Sequence, residues 1–179
     1  MVNKSELKRG DKVTYTSTFG DSSPGIVKEV HPSKNAAWVV YSCGGEWKTW
    51  DKYTGALTSL DNLEKGWNKG VLRIWIRGTI EDDGERTVEL MGKKLNIGRS
   101  LTYRRHSPTG FNWGYGGSGP AQLALAIMLE IFDDETAKLN YQDFKFKHVG
   151  SWPNLSDVAV TVQLDLSKIK RPEEKTYSI

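Results

Sequence analysis

The chain has 179 residues, 37% hydrophobic and 26% charged, a balance that supports a folded core and excludes wholesale disorder. Its 25 basic and 22 acidic side chains leave a net charge of +3, too even to declare a nucleic-acid binder. No apolar run reaches the roughly 18 residues of a membrane helix. The start, Met1-Val2-Asn3-Lys4-Ser5-Glu6, lacks the apolar stretch of a secretory signal. Cys43 stands alone, so no internal disulfide is expected and a reducing compartment is.

Residues 1–67 read as short strands between turns. Val13-Thr14-Tyr15 follows Gly10-Asp11, and Ile26 to Val30 follows the predicted turn Ser22-Ser23-Pro24-Gly25. Ala37 to Tyr41 is apolar and β-branched, and Gly44-Gly45 turns the chain into Trp47-Lys48-Thr49-Trp50. Turn signals every eight to twelve residues predict a small, strongly bent antiparallel barrel closed by Asp61 to Glu64. Trp47, Trp50 and Tyr53, interleaved with Lys48 and Lys52, are the best candidates for an exposed binding face, set against the favoured reading of the barrel's aromatic residues as a small core.

Residues 68–70 form the candidate linker. Beyond it the strands Val71 to Arg77 and Thr87 to Met91 flank the acidic turn Glu81-Asp82-Asp83-Gly84-Glu85. Ala121 to Phe132 is apolar except for Gln122 and Glu130, which predicts a helix buried nearly all round, opened by Pro120 with Ser118 as its cap. A second helix is expected over Glu135 to Lys147, capped by Asp134, with Ala137, Tyr141 and Phe144 on one face. Strict alternation from Val158 to Leu166 predicts a half-buried strand, and residues 168–179 read as a loose tail. The expectation is therefore an α+β chain: a barrel over 1–67, a linker over 68–70, and over 71–167 a compact domain with an antiparallel sheet packed on two helices.

Five of the ten residues from Gly110 to Gly119 are glycine, directly before the buried helix. Helix starts present unpaired N–H groups and partial positive charge, so this loop is a candidate anion site. The candidate ligand- or partner-binding residues here are Arg104, Arg105, His106, Trp113, Gly114, Tyr115, Gly116, Gly117, Ser118 and Gly119. The other reading of the glycines is close backbone packing and positive φ. Gly114, Gly116 and Gly119 fit G-x-G-x-x-G, but the dinucleotide fingerprint needs a strand before the loop and another after the helix. Pro120 stands where a P-loop needs lysine, and no strand leads into Ser118 as a nucleophile elbow requires. His31, His106 and His148 are far apart and make no metal spacing with the single cysteine, so neither a metal nor a cofactor is expected.

The stretch Thr109 to Ala126, with Tyr141-Gln142-Asp143-Phe144-Lys145 after it, resembles an uncharacterised domain family of phages, plasmids and bacteria, which implies no catalytic residue. The pattern Gly10-Asp11-Lys12-Val13, Gly25-Ile26-Val27, Trp38-Val39-Val40-Tyr41 and Tyr53-Thr54-Gly55 is similar to small phage proteins, and its rhythm resembles SH3-like barrels of the KOW and Tudor kind. The resemblances imply a phage or mobile-element protein. The function expected is a non-catalytic accessory one on a host or phage macromolecule, as a virion accessory or against host defence, in the host cytoplasm or on a virion. A host or phage protein is the first expected partner. Nucleic acid or a nucleotide is the other possible partner, no membrane is implied, and oligomeric state is not readable. The alternative function is a small-molecule protein holding a nucleotide or phosphate on Gly114 to Gly119.

Overall fold

The computed structural model describes residues 3–41, 43, 47–67 and 70–172. The chain is α+β and divides into two units, Met1–Trp75 with Thr161–Ile169, and Ile76–Val160 with Lys170–Ile179.

In the first unit β1 (Lys12–Thr16), β2 (Ser22–Val30), β3 (Ala36–Val40), β4 (Ala56–Ser59) and β5 (Leu63–Lys65) form an antiparallel sheet in the order β4-β3-β2-β1-β5. β4 and β5 are its two edges, so the sheet is open where a closed barrel was expected. Alternating side chains send Val13, Val27 and Val39 into one apolar cluster with Leu7, Leu60 and Leu63. Ile26 and Val40 belong to a second cluster with Cys43, Trp47 and Trp67.

Ser22 to Gly25, expected as a turn, opens β2 instead. The chain reverses at residues 17–21, where Ser17 N–H donates to the Asp21 carbonyl at 2.8 Å and Gly20 has φ +83°. Gly25 is there for packing: a Cβ would lie 2.5 Å from Val39 Cγ1 and 2.8 Å from the Tyr41 ring. Trp47–Lys52 is a 3-10 segment, not a strand, because Trp47 is drawn inward against Trp67 at 4.7 Å between ring centroids. Gly44, Gly45, Asn68 and Lys69, assigned to a turn and to the linker, lie outside the described residues.

β6 (Val71–Ile80) continues from the first unit into the second. The expected acidic hairpin joins it to β7 (Arg86–Leu90), with Glu81 N–H donating to Glu85 O at 2.8 Å and Gly84 at φ +83°. β8 (Lys93–Lys94) pairs with β7. Then follow α1 (Ile97–Tyr103), α2 (Ser118–Ile131), α3 (Asp134–Lys147) and β9 (Val158–Asp165), and the second sheet has the order β8-β7-β6-β9.

Every residue of α2 except Ser118 and Glu130 is buried, and the helix packs against both α1 and α3. Two expected caps move by one residue. Gly117 occupies the N-cap of α2 without a side-chain bond, leaving Ser118 exposed in the first turn. Asp133, not Asp134, caps α3 by accepting from Thr136 N–H at 3.0 Å, which frees Asp134 to pair with Arg99 at 2.9 Å. The tail is tied down as far as it is described: Lys170 N–H donates to Asn140 Oδ1 at 2.9 Å, and Lys170 Nζ meets Asp143 at 2.7 Å.

Candidate anion site

The glycine loop splits by position. Gly114 has φ +83°, and a Cβ on it would lie 2.5 Å from Asn154 Cα and 2.7 Å from the Trp152 carbonyl. Its N–H donates to Val149 O at 3.0 Å. The Tyr115 ring folds back so that a Cβ on Gly117 would clash with it, while a Cβ on Gly119 would run into Asn112 Cβ and lie 2.9 Å from Tyr115 Oη. These three glycines serve close packing. Gly116 does not: it is exposed, its φ lies outside the left-handed range, and a Cβ would meet nothing within 4 Å.

Trp113 is fully buried, with Nε1 donating to Ser156 O at 3.2 Å and the Arg86 guanidinium 4.6 Å from its ring centroid. It belongs to the core and presents no face to a ligand. The G-x-G-x-x-G spacing follows α1 and a loop, and α2 runs into α3, so the strand–turn–helix–strand context of a dinucleotide site is absent.

Three side chains that the sequence reading did not select complete the site. Gln122, fully buried on α2, accepts from the N–H groups of His106 at 2.8 Å and Ser107 at 3.1 Å, and donates to Ser100 Oγ at 2.6 Å. This brings the 104–107 segment onto α2. Tyr141 and Lys145, four residues apart, share a face of α3. Tyr141 Oη takes Arg104 Nη1 at 3.2 Å and meets His106 Nε2 at 3.1 Å. Lys145 is only 6% exposed, and its Nζ donates to Gly116 O at 3.2 Å. Its other neighbour is the Phe146 ring, with Nζ 3.8 Å from the centroid.

No carboxylate pairs with Arg104 or Lys145 among the described residues. The N–H groups of Gly116, Gly117, Ser118 and Gly119 likewise meet no acceptor there. Burial, then the charges of Arg104 and Lys145, push the His106 pKa below its usual value, so the cluster resists a further positive charge. Arg104 and Arg105 are both exposed, and of the two Arg104 is the one hydrogen-bonded into the cluster. Chemically, the cluster is a set of donors and cations with no anion of its own.

The aromatic candidates of the first unit do not form an exposed face. Trp47 is 7% exposed and belongs to the core. Trp50 and Tyr53 are half-buried against the same cluster, with the Arg9 guanidinium 5.0 Å from the Trp50 centroid and Lys28 Nζ donating to Tyr53 O at 2.6 Å.

Residues 76–171, more than half of the chain, match a family described as "Family of unknown function (DUF6166)", and the chain belongs to it. The expected uncharacterised family is thus present. Its match starts where the second unit does, at Ile76, and takes in the loop, α2, α3 and the whole cationic cluster. No curated protein and no solved structure matches the chain. Among the described residues no helix is long and apolar enough to cross a membrane.

Proposed function

We infer that the second unit is a non-catalytic binding module for a small phosphate-bearing anion, held where the glycine loop meets α3. One observation carries the reading: Lys145 is a buried residue whose Nζ has a single carbonyl as its hydrogen-bond acceptor and no carboxylate beside it among the described residues. A cation drawn partly out of water without a counter-ion is disfavoured, and a bound anion offsets that cost. Arg104 and the free N–H groups from Gly116 to Gly119 supply further donors for the same oxygens. A nucleotide or another phosphate ester is the ligand class these donors suit.

For the first unit we propose an SH3-like binding module. Support comes from the meander order β4-β3-β2-β1-β5 and from the 3-10 turn Leu60–Asn62 just before the last strand. On this reading the chain is an accessory protein of phage type whose first unit engages a host or phage macromolecule.

The test of the anion reading is a thermal-shift titration of the full chain with inorganic phosphate, sulfate and nucleotides. At 100 times its dissociation constant a ligand adds about 2.7 kcal/mol, roughly 5–11 °C for a chain of this size. Lys145→Met removes the charge while keeping the length, so it should hold or raise the melting temperature of the free protein and abolish the shift. Absence of any shift with the wild-type chain, or an undiminished shift in Lys145→Met, refutes the reading.

A further inference from the structure

We propose that the site takes up its anion together with a proton, which His106 holds while the Tyr141 hydroxyl turns from His106 to the ligand. The inference rests on the anion-binding reading and names how that site is regulated.

The hydrogens around Tyr141 Oη are constrained by the chemistry of its two neighbours. A guanidinium only donates, so Arg104 Nη1 at 3.2 Å uses one lone pair of Oη. On this proposal neutral His106 has the tautomer with its proton on Nδ1, in which Tyr141 donates to Nε2 across the 3.1 Å contact. The one hydrogen of the hydroxyl is then engaged and cannot be donated to an anion. When a proton from solvent adds to Nε2, both neighbours become donors to Oη. The tyrosine hydrogen must leave the His106 contact and requires a new acceptor, which an oxygen of the anion provides.

The electrostatics run the same way. His106 faces Arg104 from the end of α1 and Tyr141 and Lys145 from α3, while α2 contributes the neutral Gln122, which holds the His106 backbone N–H. Both charged neighbours are cations, so the free site opposes protonation. A bound dianion offsets those cations and reverses the preference. Because linkage is reciprocal, whatever factor the anion adds to the proton affinity of His106, the proton adds to the affinity for the anion.

Sulfate is the probe, since it stays dianionic over the whole range and its own titration cannot mimic the effect. Sulfate binding to the full chain is measured by calorimetry at pH 8, 7 and 6, and the His106 ring protons are titrated by NMR with and without sulfate. The wild-type affinity should tighten by up to about tenfold per pH unit, the limit for uptake of one proton. The His106 titration should move to higher pH when sulfate is present. His106→Gln should bind with an affinity that is level across the range, and Tyr141→Phe should lose most affinity at pH 6. Sulfate binding that is flat with pH, a His106→Gln variant that keeps the wild-type slope, or an unmoved His106 titration overturns the inference and leaves anion binding standing. Failure of sulfate and every phosphate to bind at any pH removes both.

Discussion

Substituting alanine at Gly114 and at Gly116, two residues apart in one loop, should give opposite results. At Gly114 alanine must adopt φ +83°, and its Cβ would fall 2.5 Å from Asn154 Cα and 2.7 Å from the Trp152 carbonyl. The left-handed backbone costs about 1–2 kcal/mol for a residue bearing a Cβ. Overpacking against neighbours that include backbone atoms adds about 1–3 kcal/mol. The total of about 2–5 kcal/mol corresponds to a fall of about 4–20 °C in melting temperature for a chain of this size. At Gly116 the backbone is in a range open to any residue and no atom lies within 4 Å of a Cβ. Alanine there should leave stability unchanged within about 0.5 kcal/mol, or raise it slightly by restricting the unfolded chain. Urea unfolding of the two variants, with thermal melts alongside, measures both values. A Gly114→Ala variant within 0.5 kcal/mol of wild type, or a Gly116→Ala variant as damaged as Gly114→Ala, would refute the division of this loop into packing glycines and an open one.

Two further outcomes follow from the same packing and charges. Gln122→Leu removes the acceptor for two backbone N–H groups and the partner of Ser100 Oγ, so it should cost about 3 kcal/mol in urea unfolding; a loss below 1 kcal/mol would contradict the anchoring role given to this side chain. The pKa values of His106 and His148 are both lowered, each chiefly by burial, with cations Arg104 and Lys145 acting on the first and Lys147 on the second. Below the unfolded value of about 6.5 the unfolded chain therefore binds more protons than the folded one. Stability should be fully present above that pH and decline as pH falls through the lowered folded values. A urea midpoint that stays level or rises on acidification from pH 7 to 5 would refute this sign, and replacing both histidines by glutamine should flatten the decline.

Local pattern carried much of the architecture. The apolar run from Ala121 to Phe132, interrupted by Gln122 and Glu130 alone, predicts a helix covered on nearly every side, and α2 is so covered. The alternation from Val158 to Leu166 likewise emerges as β9, with Val158, Val162 and Leu164 buried. The hairpin at Gly84 follows from residues that favour a positive φ and a solvated acidic turn. Where only the tertiary structure decided, the local signal was shared by two outcomes. Glycine marks a turn or a close approach alike, and Gly25 is a strand residue because Val39 and Tyr41 lie where its side chain would be. Tryptophans interleaved with lysines suit a binding face or a core, and Trp67 draws Trp47 inward. The seven residues of α1 carry no strong apolar stripe to mark a helix, and Asn96 starts it by accepting from Gly98 N–H at 2.7 Å.

The candidate site divides in the same way. A glycine-rich approach to a buried helix, preceded by Arg104 and His106, is a local pattern and was legible as a possible anion site. Gln122 and Lys145 were not, since on a single chain one reads as an interruption of an apolar run and the other as a solvated helix charge. Their roles are non-local: Gln122 is buried on α2 with the N–H groups of His106 and Ser107 as its partners, and Lys145 lies under Gly116, 29 residues away in sequence. Periodicity registers which residues leave water, whereas the partners that meet a buried charge are chosen by the packing of distant segments.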